Sequence, residues 1–502
     1  MVLKEIFAKI LAYFFVKRIE RWSMKPIETQ KKILERLIKT AKKTSFGKDH
    51  NFKEIKNHKE FVKRVPVRSY EELRPYVERV KLGETNVLWP GKPIYFAKTS
   101  GTTSGSKYIP ITKESAPAHI NSSRDAMFHY INQTGYTGFL SRKVIFLQGS
   151  PELEEENGIK IGRLSGITAH LTPRYLKKNV MPSWETNCIK DWEKKVHSIS
   201  VETSTQDMAI IGGIPPWVQM YFEKLKELTK KETIKEVFPN FNLFVYGGVN
   251  FNPYEKTFKK LIGKNIDTIE FYPASEGFFA YQNTQNDKGL LLQINSGIYY
   301  EFIPLEEMSK TKPLRLDIGS VEIGVNYVLI ISTNAGLWGY NTGDTVSFTS
   351  KFPHKVIVTG RYNHFISAFG EHVISSEVEK AMSDSLDLYN VPVNEFTVAP
   401  NVSNNYGDSC HEWWIEFNKK PTKEEIKKLE LSLENSIKIQ NPYYNDLVEG
   451  KVLKPLKIIA VHENAFKKFM KKKGKLGGQN KLPRLCNNRE IVSQLDQYRI
   501  NK

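Results

Sequence analysis

The sequence predicts an α/β fold with mixed β-sheets, a β-rich subdomain in its middle and a small α+β region at its C-terminal end. Three observations carry that prediction. Short apolar runs at 144–147, 208–212, 241–249 and 266–274 alternate with segments of helical periodicity. From about 289 to 358 the pattern turns β-rich, with strand-like runs at 290–294, 298–303, 321–323, 327–332, 346–349 and 356–359. Beyond that, strand patterns at 395–399 and 411–418 lie between helical ones. A chain of 502 residues that is 40% hydrophobic and 12% aromatic is ample for a large core in two or more domains.

Residues 1 to about 80 read as helical. The first 22 resemble a signal peptide at first glance, but Lys4, Glu5 and Lys9 interrupt the apolar run and no small-residue cleavage site follows. They read as an amphipathic, aromatic-rich helix that packs on the body or lies on a surface. No stretch is long and apolar enough to span a bilayer. Apolar residues recur at helical spacing over 27–41, and Ser69 and Glu72 stand at capping-box spacing.

Residues 95–111, YFAKTSGTTSGSKYIPI, read as two short strands flanking a Thr/Ser/Gly loop that ends in Lys107. Such a loop can aim backbone N–H groups at an anion, with hydroxyls and Lys107 as further donors. A plain polar hairpin turn has the same composition. It is not a Walker A loop, because Ser106 stands where a glycine must precede the lysine. A helix over 216–230 begins with Pro216, as first turns often do. The run at 241–249 ends in Gly247 and Gly248, and the run at 266–276 ends in a small-residue turn with Glu276. Ligands of α/β sheets sit beyond the carboxyl ends of the strands, so both turns are expected at a site. Ser376 with Glu379, and Thr422 with Glu425, are capping-box pairs that open the helices after 376 and over 423–438.

The net charge of +19 comes mostly from Lys. The basic residues are scattered, with one dense run at 467–475, and no zinc-finger, basic-zipper or RNA-recognition signature accompanies them. A Lys-rich solvated surface is the expectation, with no nucleic acid as partner. Cys188, Cys410 and Cys486 are too dispersed for a metal site or a disulfide framework, which points to a reducing compartment, the cytoplasm.

Four separated stretches, in order, resemble the adenylate-forming superfamily: KTSGTTSGSK (98–107), YPASE (272–276), GYNTGD (339–344) and GRYNHFISAFGEHVISSEVE (360–379). Within it, YPASEGFFAYQ, SGIYYEFIP and the C-terminal GGQNKLPRL (477–485) resemble the Gretchen Hagen three family of acyl acid amido synthetases. The turn at 370–373 is closer to the broad superfamily than to plant members, so a bacterial-type relative is expected.

The resemblance implies a large N-terminal adenylate-forming domain, 1–362, and a small mobile C-terminal domain, 363–502, with Asn363 near the hinge. It implies ATP and Mg²⁺ as cofactors, and a small carboxylic acid and an amine or amino acid as substrates. Thr99, Ser100, Gly101, Thr102 and Thr103 would cradle phosphates. Ser275 and Glu276 would face the α-phosphate, with Glu276 a Mg²⁺ ligand, although an acid there also suits a helix's first turn. Tyr246, Gly247 and Gly248 would lie against the adenine, and Tyr272 belongs to the same nucleotide contacts. Asp344 and Arg361 would hold the ribose; a turn-forming Gly-Asp pair and an exposed ion pair are their plainer readings. Tyr299 and Tyr300 would line the acyl pocket, although successive strand residues face opposite ways, so one of them is expected in the core. Lys481 matches the family's catalytic lysine. An acyl-CoA or other acyl-thioester ligase would share these motifs, and an inactive basic anion-binding protein would keep the charge without the chemistry.

Overall fold

The computed structural model describes residues 2–99, 107–248, 251–287, 289–308, 310–362, 365–366, 373–389, 392–402, 409–450, 453–476, 482–486 and 488–500. The chain divides into two compact units, Met1–Val249 with Lys259–Val358, and Asn250–Phe258 with Thr359–Lys502. The division after Val358 falls four residues before the one the motifs suggest. The inclusion of 250–258 in the second unit leaves no mark in the pattern.

The first unit opens with helices. Val2–Ser23 and Pro26–Ala41 come first, and Tyr70–Lys81 is closed at its start by the expected capping box. There the Glu72 carboxylate accepts from the Ser69 N–H at 2.7 Å, and Ser69 Oγ accepts from the Glu72 N–H at 3.4 Å. Next come β1 (Tyr95–Thr99) and β2 (Lys107–Ile111), paired antiparallel with Thr99 opposite Lys107. The predicted hairpin is therefore present, and its loop, 100–106, lies outside the described residues.

The main sheet has eleven strands among the described residues. Its parallel half places β6 (Val180–Met181), β3 (Lys143–Phe146), β7 (Met208–Gly213), β8 (Leu243–Gly247) and β9 (Asp267–Ala274) side by side. Buried strands of a parallel sheet read as continuous apolar runs, which is why 208–212 and 243–245 were legible. The other half continues through β10 (Gly277–Gln282), β11 (Leu290–Leu292), β15 (His354–Arg361), β14 (Tyr340–Lys351), β13 (Asn326–Thr333) and β12 (Ile298–Pro304). A small second sheet adds β4 (Glu154–Glu156) and β5 (Ile159–Gly162) beside β1.

One expected strand is absent. Residues 321–323 contribute only an isolated bridge, Ile323 with Phe348. The Asp317 carboxylate accepts from the Gly319 and Ser320 N–H groups, and the Glu322 N–H donates to the Tyr327 hydroxyl at 2.9 Å rather than to a neighbouring strand. All seven residues of β12 are buried, Glu301 included. Burial would raise the Glu301 carboxyl, but Arg315 at 2.5 Å and His58 at 3.0 Å outweigh it and hold it below the usual carboxylate range.

The second unit holds a three-stranded sheet, β18 (Val393–Asn401) antiparallel to β19 (Cys410–Phe417), which is parallel to β20 (Lys457–Val461). A two-stranded ribbon, β16 (Phe365–Ile366) with β17 (Val373–Ile374), precedes it. Helices Ser375–Tyr389 and Lys423–Gln440 bury Val378, Met382, Leu429 and Leu433 with Phe396, Trp413 and Ile415 of the sheet. The Thr422–Glu425 capping box forms as expected. The Ser376–Glu379 pair does not cap: the helix starts at Ser375, and the Glu377 carboxylate accepts from the Ile374 N–H at 2.9 Å. Glu379 turns instead toward the buried Arg484 guanidinium at 3.8 Å.

Candidate active site

β8 and β9 run parallel, with Gly247 beside Phe271, so the turns that follow them open at the same end of the sheet. Gly247 has no room for a side chain: a Cβ would stand 2.4 Å from the Phe271 carbonyl oxygen. Gly248 has φ of +84°, which a Cβ disfavours. Between them these two positions require glycine to let β8 end close against its neighbour. The Tyr246 ring stacks on Phe244, and its hydroxyl is 3.5 Å from the Glu270 carboxylate on β9.

β9 extends past β8 and turns back. Ala274 pairs with Gly277, so Ser275 and Glu276 form a two-residue turn into β10. No helix follows Glu276, and its reading as a first-turn acid is overturned: residues 277–282 find their partners in β9 and are buried as a strand.

The segment GYNTGD is not a turn either. It opens β14, and it is bulged: Asn341 pairs with Ile330 and Thr345 with Val328, leaving Thr342, Gly343 and Asp344 opposite Leu329 alone. The Thr342 hydroxyl donates to the Leu329 carbonyl at 2.9 Å and accepts from the Asp344 N–H at 3.1 Å, so the bulge satisfies its own polar groups. Gly343 has φ of +79°. Bulges re-aim side chains near sites. Here the bulge brings Asp344, 8% exposed, onto Tyr272 of β9, whose hydroxyl donates to Asp344 Oδ2 at 2.8 Å. The Tyr340 hydroxyl, from the start of β14, donates to Glu276 Oε1 at 3.3 Å.

β14 and the β9–β10 hairpin are thus cross-tied by two tyrosines, each orienting a carboxylate on the opposite element. One acid is buried and suited to accept from a pair of hydroxyls. The other is half-buried in a turn and offers hard oxygen to a cation. β14 is itself held from behind: the Arg68 N–H donates to the Gly339 carbonyl and the Asn341 N–H to the Arg68 carbonyl, each at 2.8 Å. Gly339, with φ of +57°, would put a Cβ 2.5 Å from the Pro66 carbonyl oxygen.

Three profiles of one family match in order: the GH3 family N-terminal domain over 15–198, the central domain over 291–361 and the C-terminal domain over 376–490. The chain belongs to the GH3 family. An indole-3-acetic acid-amido synthetase, GH3.15 of Arabidopsis thaliana, is 22% identical over 525 aligned positions, covering 87% of this chain and 86% of that one. A jasmonoyl–L-amino acid synthetase of Nicotiana attenuata is 22% identical over 56% of this chain and 59% of its own length. Among solved structures, a GH3.15 acyl acid amido synthetase superposes with a TM-score of 0.80 at 17% identity, covering 97% of this chain and 96% of that one. A 2-hydroxyisobutyryl-CoA ligase in its postadenylation state superposes with a TM-score of 0.59 at 12% identity, over 93% and 90% of the two chains. This chain therefore shares its fold with both of these enzymes.

The remaining expected residues fall in several places. Thr99 ends β1, and Lys107, opposite it, lies 5.8 Å from the Tyr70 ring centre; Ser100, Gly101, Thr102 and Thr103 lie outside the described residues. Tyr299 and Tyr300 are both buried, on opposite faces of β12. Tyr299 meets Phe61 edge-on, whereas Tyr300 meets Phe279, which in turn packs on Tyr272. Burial raises both phenols above their usual value. Arg361 ends β15, exposed, and belongs to the second unit while Asp344 belongs to the first. Asn363 and Lys481 lie outside the described residues.

The chain just after Lys481 is described, and it is sewn to the edge of β18. The Val398 N–H donates to the Arg484 carbonyl and the Cys486 N–H to the Val398 carbonyl, each at 2.9 Å, and the Thr397 hydroxyl donates to the Pro483 carbonyl at 2.7 Å. The Arg484 guanidinium is buried against Glu395, the Phe396 carbonyl and the Tyr254 hydroxyl. Burial works against its charge, but Glu395, Tyr254 and Glu379 outweigh burial and raise its affinity for the proton. Sequence reasoning missed Tyr340 and Arg484, although each stands inside a quoted motif. Both act through contacts with residues distant in sequence, which a motif does not reveal.

Proposed function

We propose that this GH3 chain activates a carboxylic acid with ATP as the acyl adenylate and transfers the acyl group to an amine, an amino acid by preference, forming an amide. The observation that carries the reading is the tyrosine-tied pair Glu276 and Asp344, at the strand ends of an adenylate-forming fold whose family relatives are amido synthetases. In the first step a carboxylate oxygen attacks the α-phosphorus and the bond to pyrophosphate breaks. In the second the amine nitrogen attacks the acyl carbon, AMP leaves, and the nitrogen loses a proton.

The first step brings two anions together, so positive charge and oriented donors must meet them. Ser275 and Glu276 stand at the α-phosphate, and residues 99–103 hold the phosphates. Tyr246, Gly247 and Gly248 lie on the adenine, with Tyr272 orienting Asp344 toward the ribose and Arg361 adding a second contact. Tyr300, behind Phe279 and Tyr272, belongs to the acyl side, while Tyr299 serves the core. No group of three or more His, Cys, Asp or Glu converges among the described residues. A cation carried by nucleotide phosphates needs only one or two protein carboxylates, and half-buried Glu276 suits that role. Bound Mg²⁺ supplies charge neutralisation on the phosphate oxygens. Lys481 serves the first step, and a turn of 363–502 about Asn363 exchanges it for the second. A cytoplasmic location belongs to the same reading.

The test is carboxylate-dependent ATP–pyrophosphate exchange over a panel of acids, followed by mass spectrometry of products formed with amino acids or with CoA. AMP, pyrophosphate and an amide are expected. ADP as product overturns the adenylate reading, a thioester in place of an amide makes the chain an acyl-CoA ligase, and no exchange with any acid leaves an anion-binding protein.

A further inference from the structure

The Val2–Ser23 helix has two apolar faces, and the fold uses one of them. Ala8, Ala12, Val16 and Ile19 are buried, with Ala12 and Ile19 packing among Ala126, Tyr130 and Ile131 of the Ala116–Thr134 helix. Phe15 stacks on Phe128 at 4.7 Å, with the Arg124 guanidinium 4.6 Å from its ring centre. At 3.6 residues per turn, Leu3, Ile6, Phe7, Ile10, Tyr13 and Phe14 fall on the opposite side in a single stripe, and they are 49–83% exposed. Surfaces normally scatter such residues singly, so a continuous stripe marks an interaction face.

The surrounding charge says what fits it. Lys4, Lys9, Lys17, Arg18 and Arg21 are exposed on this helix, against Glu5 and Glu20, and Glu20 is already bonded to Lys17 at 2.7 Å. The whole chain carries +19. A second copy would set these cations against their like, whereas an anionic lipid surface answers them all. No helix of the described residues is long and apolar enough to cross a membrane, so the fitting geometry is parallel to the surface.

We propose that this helix lies in the interface of an anionic lipid bilayer, its outward stripe among the acyl chains below the headgroups and its basic residues among the phosphates. The inward face stays docked on the Ala116–Thr134 helix, so binding requires no unfolding. Because only exposed residues are engaged, the adenylation site is not involved.

The test is sedimentation of the full chain with vesicles of phosphatidylcholine alone, or with roughly one-third phosphatidylglycerol, at about physiological salt. Binding is expected to the mixed vesicles and to be at least about tenfold weaker to phosphatidylcholine. The double variant Phe7→Asn with Phe14→Asn should weaken it on the order of tenfold per ring, and Lys4→Gln with Lys9→Gln by about fivefold per charge. All four positions are exposed, so circular dichroism and melting should match the parent chain. Absence of binding to the mixed vesicles overturns the proposal, and so does equal binding to both kinds. A dimer in sedimentation velocity that the Phe7/Phe14 variant abolishes, without vesicle binding, overturns it in favour of self-association.

Discussion

Asp344 and Glu276 differ in surroundings, and the difference predicts different defects. Asp344 is buried and takes its orientation from Tyr272. Tyr272→Phe removes one donor from a buried acceptor, at a cost of about 1–3 kcal/mol. Tyr272→Phe and Asp344→Asn should therefore both raise the KM for ATP with little change in kcat. Glu276 sits in the turn nearest the proposed α-phosphate, and Glu276→Gln should lower kcat on the order of 10²-fold with a smaller effect on KM. Steady-state pyrophosphate-exchange kinetics on the three variants check this. Parent-like kinetics in folded Glu276→Gln and Asp344→Asn would place the site elsewhere.

Two elements carry buried groups whose ionisation should be felt in stability. The Ala116–Thr134 helix buries His119 and His129, and burial lowers both imidazoles to about 4. In the unfolded chain they titrate near 6.5. Between those values the unfolded chain takes up protons that the folded chain refuses. The contribution is therefore fully present above pH 6.5 and is lost as pH falls toward 4. The urea midpoint should drop across that window, and less so in the His119→Gln, His129→Gln double variant. The strap 482–486 is the second element. Arg484→Met removes the buried cation that faces Glu395 and should destabilise the second unit by about 3 kcal/mol. Loss of that unit's transition at lower urea, with the first unit's unchanged, is the expected result.

At the scale of the whole molecule the proposed chemistry needs one lysine in only one of two steps. Lys481→Ala should cut pyrophosphate exchange on the order of 10²-fold or more, the cost of removing one such electrostatic group. Attack of an amine on a preformed acyl adenylate expels a phosphate that is already a good leaving group, and it should proceed at a near-parent rate. Single-turnover assays of the two half-reactions separate them. Normal exchange would make Lys481 a surface residue, with exposed Lys475 the next candidate. Loss of both steps in a folded variant would refute the turning of 363–502 between them.

Local chemistry alone determined much of this protein. The capping boxes at Ser69 and Thr422 depend on residues three apart, the Pro215–Thr229 helix on its leading prolines, and the parallel strands β7 and β8 on apolar runs, so each was readable from the chain. The motif order pointed to the family for the same reason: each motif is a short continuous stretch of chain. Tertiary structure decided what pairs with what. Only the folded sheet could make Glu276 a hairpin residue, open a bulge at Asp344, choose Tyr300 rather than Tyr299 to meet Phe279, and turn Glu379 from a cap into a partner of Arg484. Each of those outcomes is a competition between a local preference worth about 1 kcal/mol and burial or ion pairing supplied by residues tens to hundreds of positions away. The distant partner prevails because it buries apolar surface or brings an opposite charge to a buried one, and no window of sequence contains it.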